Sequence, residues 1–327
     1  MPVRVHSRSK RPANWRVLLI LMATAALAGC GLDMAAAGSS SSPGPGLTIG
    51  PSPSGRTAPT PTPIPTPAPT PVAIVHCPGQ AGSVIGRSNS NQTTNWSGYA
   101  ISAADRSSQV SCIEASWVEP VVTCASSGAL TEVSIWVGID GFAQSGRAGI
   151  GPEQVGTDIR CQDGVASQTA WWETYPSFNG EVIFTDPASD SQSDLAPMAI
   201  ASGDRIWVQV AYADGQFTMM AADLTSGQAG MKTVPISDAP RLGAEWVVEA
   251  PALPCSYANC PVAPLAQFGP IMFDGALALF GGRLGSIGDD HWIRTSLIEA
   301  GDSPMAMTQV GNLTDGGQAF SIVWQHS

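Results

Sequence analysis

Ser134-Ile135-Trp136-Val137-Gly138-Ile139-Asp140-Gly141 is the stretch whose reading decides the fold class. Side chains alternate along a strand, so Ile135, Val137 and Ile139 share one face while Trp136 and Asp140 share the other. Three more stretches repeat the pattern: Glu153 to Asp158 (EQVGTD), Thr169 to Pro176 (TAWWETYP) and Ala244 to Glu249 (AEWVVE). By the same count Gln154 goes with Asp158, Trp171 with Glu173 and Tyr175, and Glu245 with Glu249. A sheet face that needs only solubility carries Lys, Thr, Ser and Glu. Indoles beside carboxylates and an amide point instead to a face shaped to hold a ligand.

Strand signals continue through Gln109 to Val118, Asp204 to Tyr212, Gln216 to Leu224 and the Ile322-Val323-Trp324 run, with turn signals at Asp214-Gly215, Ser226-Gly227 and Gly282. No segment keeps a helical period over three turns. Many short strands separated by turns predict an all-β antiparallel sandwich or barrel. The clean alternation of Ile206, Val208, Val210 and Tyr212 predicts that they line the space between two sheets.

The first 75 residues read differently. Arg4, Arg8, Lys10, Arg11 and Arg16 precede a 13-residue apolar run, Val17 to Gly29, which ends at Leu27-Ala28-Gly29-Cys30. The run has the length of a signal h-region and is short for a membrane span. Small residues before a Cys resemble a bacterial lipoprotein signal, in which Cys30 is freed and lipidated. An ordinary secretory signal and a plain membrane anchor are the alternatives. Residues 31–75 hold the Pro/Thr run Pro59 to Pro71, which favours extended polyproline geometry and predicts a disordered linker or stalk. The expected division is a signal at 1–30, a linker at 31–75 and one domain at 76–327, exported and either lipid-anchored at the cell surface or secreted.

Of 15 basic residues six precede residue 76, and of 26 acidic residues one does, so the domain carries nine bases against 25 acids, a net charge of −16. That balance argues against nucleic acid or an anionic membrane as partner, leaving membrane contact to a lipid on Cys30. With few bases, positive self-repulsion stays modest at low pH, and the composition suits an acidic medium. A monomer is expected. Apart from Cys30 there are six cysteines, an even number that favours disulfides in an exported domain. Cys255–Cys260 across a short loop is the first expected pair. Cys77–Cys112 and Cys124–Cys161 are one choice among 15 connectivities that the sequence does not settle.

The chemistry available is narrow. His76, His291 and His326 stand by no nucleophile motif, G-x-S-x-G and HExxH are absent, and Asp140-Gly141 lacks the hydroxyl residue of a pepsin-like loop. No metal or other cofactor is expected. Carboxylate chemistry remains, on Asp140, Asp158, Glu173, Glu245 and Glu249. One reading is a jelly-roll glycoside hydrolase using Glu245 and Glu249, or a carbohydrate-binding module, with the Trp residues stacking on sugars. Jelly-roll glucanases with that spacing also carry an Asp between the two Glu, where this chain has Val247.

The other reading comes from resemblance. Gly138 to Gly141, Gln154 to Asp158, Ala170 to Pro176 and Ala244 to Glu249 resemble, in order, segments of the glutamic peptidases, or eqolisins. Asn95-Trp96-Ser97-Gly98 resembles the family's start, and Asp223 to Gln228 and Ala266 to Gly269 its later segments. The resemblance spans about residues 95 to 275. It implies a two-sheet concanavalin-like β-sandwich and endopeptidase activity on proteins or peptides at acidic pH, without metal or cofactor. The family's catalytic Gln falls on Gln154 and its catalytic Glu on Glu249, not Glu245. Trp96, Trp136, Asp140, Asp158, Trp171, Glu173 and Tyr175 match positions lining the family's substrate groove. The chain departs from the fungal pattern at Thr174, at Pro152-Glu153, and in having a stalk where fungal members have a propeptide.

Overall fold

The computed structural model describes residues 72–79, 87–103, 108–126, 128, 130–142, 152–174, 178–184, 197–253, 261–299 and 305–327. Cys30, Tyr175, Cys255 and Cys260 lie outside the described residues, as do the expected signal and nearly all of the expected linker. In chain order the strands begin with β1 (Arg87–Thr93), β2 (Trp96–Ala103), β3 (Val110–Val118), β4 (Val122–Thr123), β5 (Thr131–Ile139) and β6 (Glu153–Gln162). They continue with β7 (Val165–Thr174), β8 (Phe178–Ile183), β9 (Arg205–Ala213), β10 (Gln216–Asp223), β11 (Gln228–Pro235) and β12 (Gly243–Glu249). Last come β13 (Gln267–Phe268), β14 (Ile271–Phe280), β15 (Arg283–Ser286), β16 (Trp292–Glu299), β17 (Thr308–Val310) and β18 (Phe320–Trp324).

Two large sheets form a sandwich. The first has the order β1-β16-β2-β12-β5-β6-β7-β8, and the second β11-β10-β9-β3-β14-β18-β17 with β15 on β14. Neighbours run antiparallel except β1 and β16, which pair in parallel. The only helical element among the described residues is a short 3₁₀ turn, Asp315–Gly317. Alternation explains the layering. Ile135, Val137 and Ile139 of β5, Val155 and Ile159 of β6, and Trp246 and Val248 of β12 are fully buried in one core. They meet Ile113 and Trp117 of β3 and Ile206, Val208 and Val210 of β9 in that core, as the alternation predicts. Tyr212 is half-buried at its margin. Burying such side chains contributes roughly 1.5–3 kcal/mol each relative to exposure.

The turns follow local chemistry. Asp214-Gly215 joins β9 to β10 with φ of 50° and 79°, and Asp163-Gly164 joins β6 to β7 with 51° and 81°. Two consecutive positive φ values make the tight hairpin turn that suits twisted strands, and Asp-Gly is a pair that adopts it at little strain.

Among the described residues two disulfides form, Cys77–Cys112 and Cys124–Cys161, closing separations of 35 and 37 residues. Loops of that length constrain the unfolded chain by roughly 3–4 kcal/mol each. The first fastens the segment before β1 to the outer side of β3. There the buried Glu114 carboxylate also accepts from Cys77 N at 3.0 Å and Gln209 Nε2 at 3.1 Å.

Candidate active site

The outer face of the first sheet has its own apolar layer. Ala100, Trp136, Trp171, Val247 and Leu297 are buried there, with Trp96, Phe142 and Ile183 packed against them. All but Phe142, which lies in the loop after β5, come from outward positions of β2, β5, β7, β12, β16 and β8. The indoles are therefore enclosed, not exposed as sugar-stacking platforms. Trp96 and Trp136 meet edge to face with centroids 5.0 Å apart.

Glu249 closes β12 within this layer. Its Oε2 accepts from Trp136 Nε1 at 2.8 Å and its Oε1 from Asn95 Nδ2 at 2.6 Å. Desolvation pushes the carboxyl up to about 8; hydrogen bonds from Trp96 and Trp136 oppose this, and the charges of Glu181 and Glu173 add to it. The residue as a whole is half-buried, which screens part of that effect. Indole and amide N–H groups only donate, so the ionised carboxylate is the form these contacts fit.

Gln154 lies on β6, 7% exposed, and its Nε2 donates to Glu173 Oε2 at 2.6 Å. That contact uses one amide hydrogen and leaves the second to donate elsewhere. Trp136 reaches toward both residues. Its Nε1 meets Glu249, while its Cζ3 lies 2.9 Å from where a Cβ on Gly138 would stand, with Gln154 Cβ 3.2 Å from the same point. Gly138 is thus the residue that lets the indole lie down beside Gln154; Gly156 opposite Trp136 is crowded in the same way.

Asp158, also on β6, accepts from Ser134 Oγ at 2.7 Å, and Glu181 on β8 shares that hydroxyl at 3.2 Å. Desolvation raises both carboxyls, less so for Glu181 with its exposed surface; the charges of Glu181 and Glu132 add to the rise of Asp158, and those of Glu132 and Glu173 to that of Glu181. Two acids around one hydroxyl hold protons well above the ordinary carboxylate range.

Two sequence expectations need correction in detail. Asp140 does not continue the strand alternation. β5 ends at Ile139, and Asp140 has φ of 75° with its oxygens accepting from Arg241 N at 2.5 Å and Leu242 N at 2.6 Å. A left-handed residue turns the chain, so the carboxylate clamps the loop before β12. Glu245 shares an outward position with Glu249 but accepts from Phe142 N at 2.6 Å and Gly141 N at 3.3 Å. Glu245 is thus held by backbone amides of the loop after β5, and Glu249 by Asn95 and Trp136, so the two carboxylates have separate partners.

A model of the Peptidase A4 family matches residues 94–311. The chain belongs to that family. As a glutamic peptidase it is a peptide hydrolase acting on proteins or peptides. It is 27% identical over 218 residues to Aspergillopepsin-2 of Aspergillus niger, covering 60% of this chain and 68% of that protein. Its fold is similar to scytalido-glutamic peptidase solved with a transition state analogue inhibitor, at TM-score 0.55 and 22% identity over 71% of this chain and 98% of that one. It is also similar to SCP-B, an eqolisin solved with the tripeptide Ala-Ile-His, at TM-score 0.52 and 20% identity over the same shares.

Sequence reasoning passed over three side chains of this glutamic-peptidase face. Ser134 stood at an outward position of the quoted β5 stretch and could have been read from alternation. Glu181 and Glu299 carried no local signal, because β8 and β16 reach the site only through the strand order.

Proposed function

We propose that this glutamic peptidase is an acid endopeptidase in which Gln154 and Glu249 carry the chemistry. Glu249 takes a proton from water as its oxygen attacks the scissile carbonyl carbon. The Gln154 amide donates to the oxyanion that forms. Glu249 then returns the proton to the nitrogen as the C–N bond breaks, leaving a carboxylic acid and an amine. The observation that carries this reading is the pair of donor-only contacts on Glu249, one of them from Trp136, whose ring also lies beside a Gln whose amide is oriented by Glu173. Trp96, Trp136, Asp158, Trp171, Glu173 and Tyr175 would line the substrate strand, and Asp140 would shape the loop at its end.

The same reading makes residues 76–327 the peptidase domain, exported as a monomer behind a lipoprotein-type leader and a Pro/Thr-rich stalk. The Cys77–Cys112 and Cys124–Cys161 bridges fit an oxidising compartment.

The test is cleavage of an unfolded protein at acidic pH. Glu249→Gln is expected to lose about 10²–10⁴ in kcat, as removal of a general base does. Gln154→Ala should lose about 10²–10³, as loss of an oxyanion donor does. Glu245→Gln should keep more activity than either. Chelators and serine-directed reagents should have no effect, and pepstatin should inhibit poorly. Full peptidase activity in Glu249→Gln would remove Glu249 as the base, and cleavage of β-glucan without cleavage of protein would overturn the reading altogether.

A further inference from the structure

β16 lies between β1 and β2 in the sheet, so the two-residue connection Thr94-Asn95 passes over the end of β16 at Glu299. The connection is braced at both sides. Trp96 N donates to Thr93 Oγ1 at 3.0 Å, and Ala250 N donates to Asn95 O at 3.0 Å. Asn95 Nδ2 then donates to Glu249 Oε1 at 2.6 Å and to Ala250 O at 3.2 Å. Both neighbours only accept, so the orientation of the amide is settled by its surroundings.

We propose that Asn95 is a positioning residue for Glu249, holding its carboxylate ionised and fixed in orientation for proton abstraction from water. This rests on the reading of Glu249 as the base. The need for such a donor comes from the neighbours. Glu181 on β8 and Glu173 on β7 press like charge on Glu249, which in turn presses on Glu299 of β16, and the counterweights on Glu249 are the N–H groups of Asn95, Trp96 and Trp136. Glu299 shows the contrast. It is fully buried beside Ser97, its Oε2 accepts from Ser97 Oγ only at 3.4 Å, and its Oε1 has no partner among the described residues. Of the two carboxyls, Glu249 has two close donors and ionises first, while Glu299 has one long contact and holds its proton longer; its pKa is pushed up to about 9, by burial first and by Glu249 second. Removing the Asn95 donor reduces that asymmetry, leaving the indole N–H groups alone to offset the neighbouring charges.

The experiment measures kcat, KM and the pH profile of kcat/KM for the full chain carrying Asn95→Ala, Asn95→Asp or Thr94→Ala, with thermal melts of each. Asn95→Ala is expected to lower kcat at least about tenfold with KM nearly unchanged, the size of one lost charge-assisted hydrogen bond. Its acidic limb should move about one pH unit upward, because Glu249 then needs a higher pH to ionise. Asn95→Asp, the same shape with a like charge, should move that limb at least as far, and it carries the test if the alanine variant does not fold. Thr94→Ala, exposed in the same connection, should match wild type. A wild-type limb in both Asn95 variants overturns the proposal, whether activity is retained or falls together with the melting temperature. Glu249→Gln separates the two ideas: if it stays active the assignment of the base has failed, and if it is dead while the Asn95 variants titrate like wild type only this inference has.

Discussion

Trp136 holds Glu249 from β5, its Nε1 donating to Oε2 at 2.8 Å across 113 residues of sequence. The far edge of the same indole lies over Gly138 next to Gln154, so one buried ring sets the separation of the two residues proposed to do the chemistry.

Trp136→Phe should therefore keep most of the packing and lose the donor. We expect kcat to fall about tenfold or more, with a stability loss of about 1–3 kcal/mol from the smaller ring. Gly138→Ala should act from the other side. A Cβ there would press on Trp136 and Gln154, costing about 1–3 kcal/mol by overpacking and impairing kcat more than KM. Steady-state kinetics and denaturant melts check both, and wild-type kcat in each would show that the indole does not set the site.

Stability should rise as the medium is acidified. In the folded domain Glu119 stands at about 7, Glu153 and Glu245 at about 8 and Glu299 at about 9, each raised from 4.5 chiefly by burial. Between pH 4.5 and those values the folded state binds more protons than the unfolded chain. The contribution is thus complete below about pH 4.5 and is lost as pH climbs through 7 to 9. At an order of magnitude of 1 kcal/mol per group, the melting temperature should drop by roughly 8–16 °C from pH 4.5 to pH 9. Circular dichroism melts across that range decide it; a melting temperature that climbs with pH contradicts the argument.

Activity should follow a bell displaced to the acid side. Above neutrality, Asp158 and Glu181 lose the protons their crowding retains, charging the face where substrate lies and pressing further on Glu249. At low pH Glu249 itself takes a proton, and because its pKa is raised this limb sits above the roughly 4.3 of an ordinary Glu. The expected optimum is mildly acidic. A kcat/KM profile still rising at pH 9 would be incompatible with these carboxyls.

The proposed lipoprotein-type leader makes a separate prediction. If Cys30 becomes the lipidated N-terminus, Cys30→Ala should move the protein from the membrane fraction to a soluble or uncleaved form. Intact mass of the mature wild-type protein checks the modification, and an unmodified N-terminus well beyond residue 30 would exclude it.

Much of this protein was legible before its fold was known. The two-residue period placed Ile135, Val137, Ile139, Ile206, Val208 and Val210 between sheets and Trp136, Gln154 and Glu249 on the opposite side, because alternation is a property of each strand alone. The Asp214-Gly215 turn was equally local. What alternation could not supply was company. Whether Glu249 meets an indole, an amide or another acid depends on β12 lying between β2 and β5, with β16 beyond β2 and β8 at the far edge. Asn95 is 154 residues from it in sequence and within hydrogen-bonding distance in space. Asp140 left its expected face because a single positive φ ends β5, and Glu245 was drawn to the backbone that this turn exposes. Local periodicity determined which side of a sheet each residue occupies, whereas strand order and turn geometry, which rest on contacts between distant segments, decided which donors and which like charges each carboxyl meets.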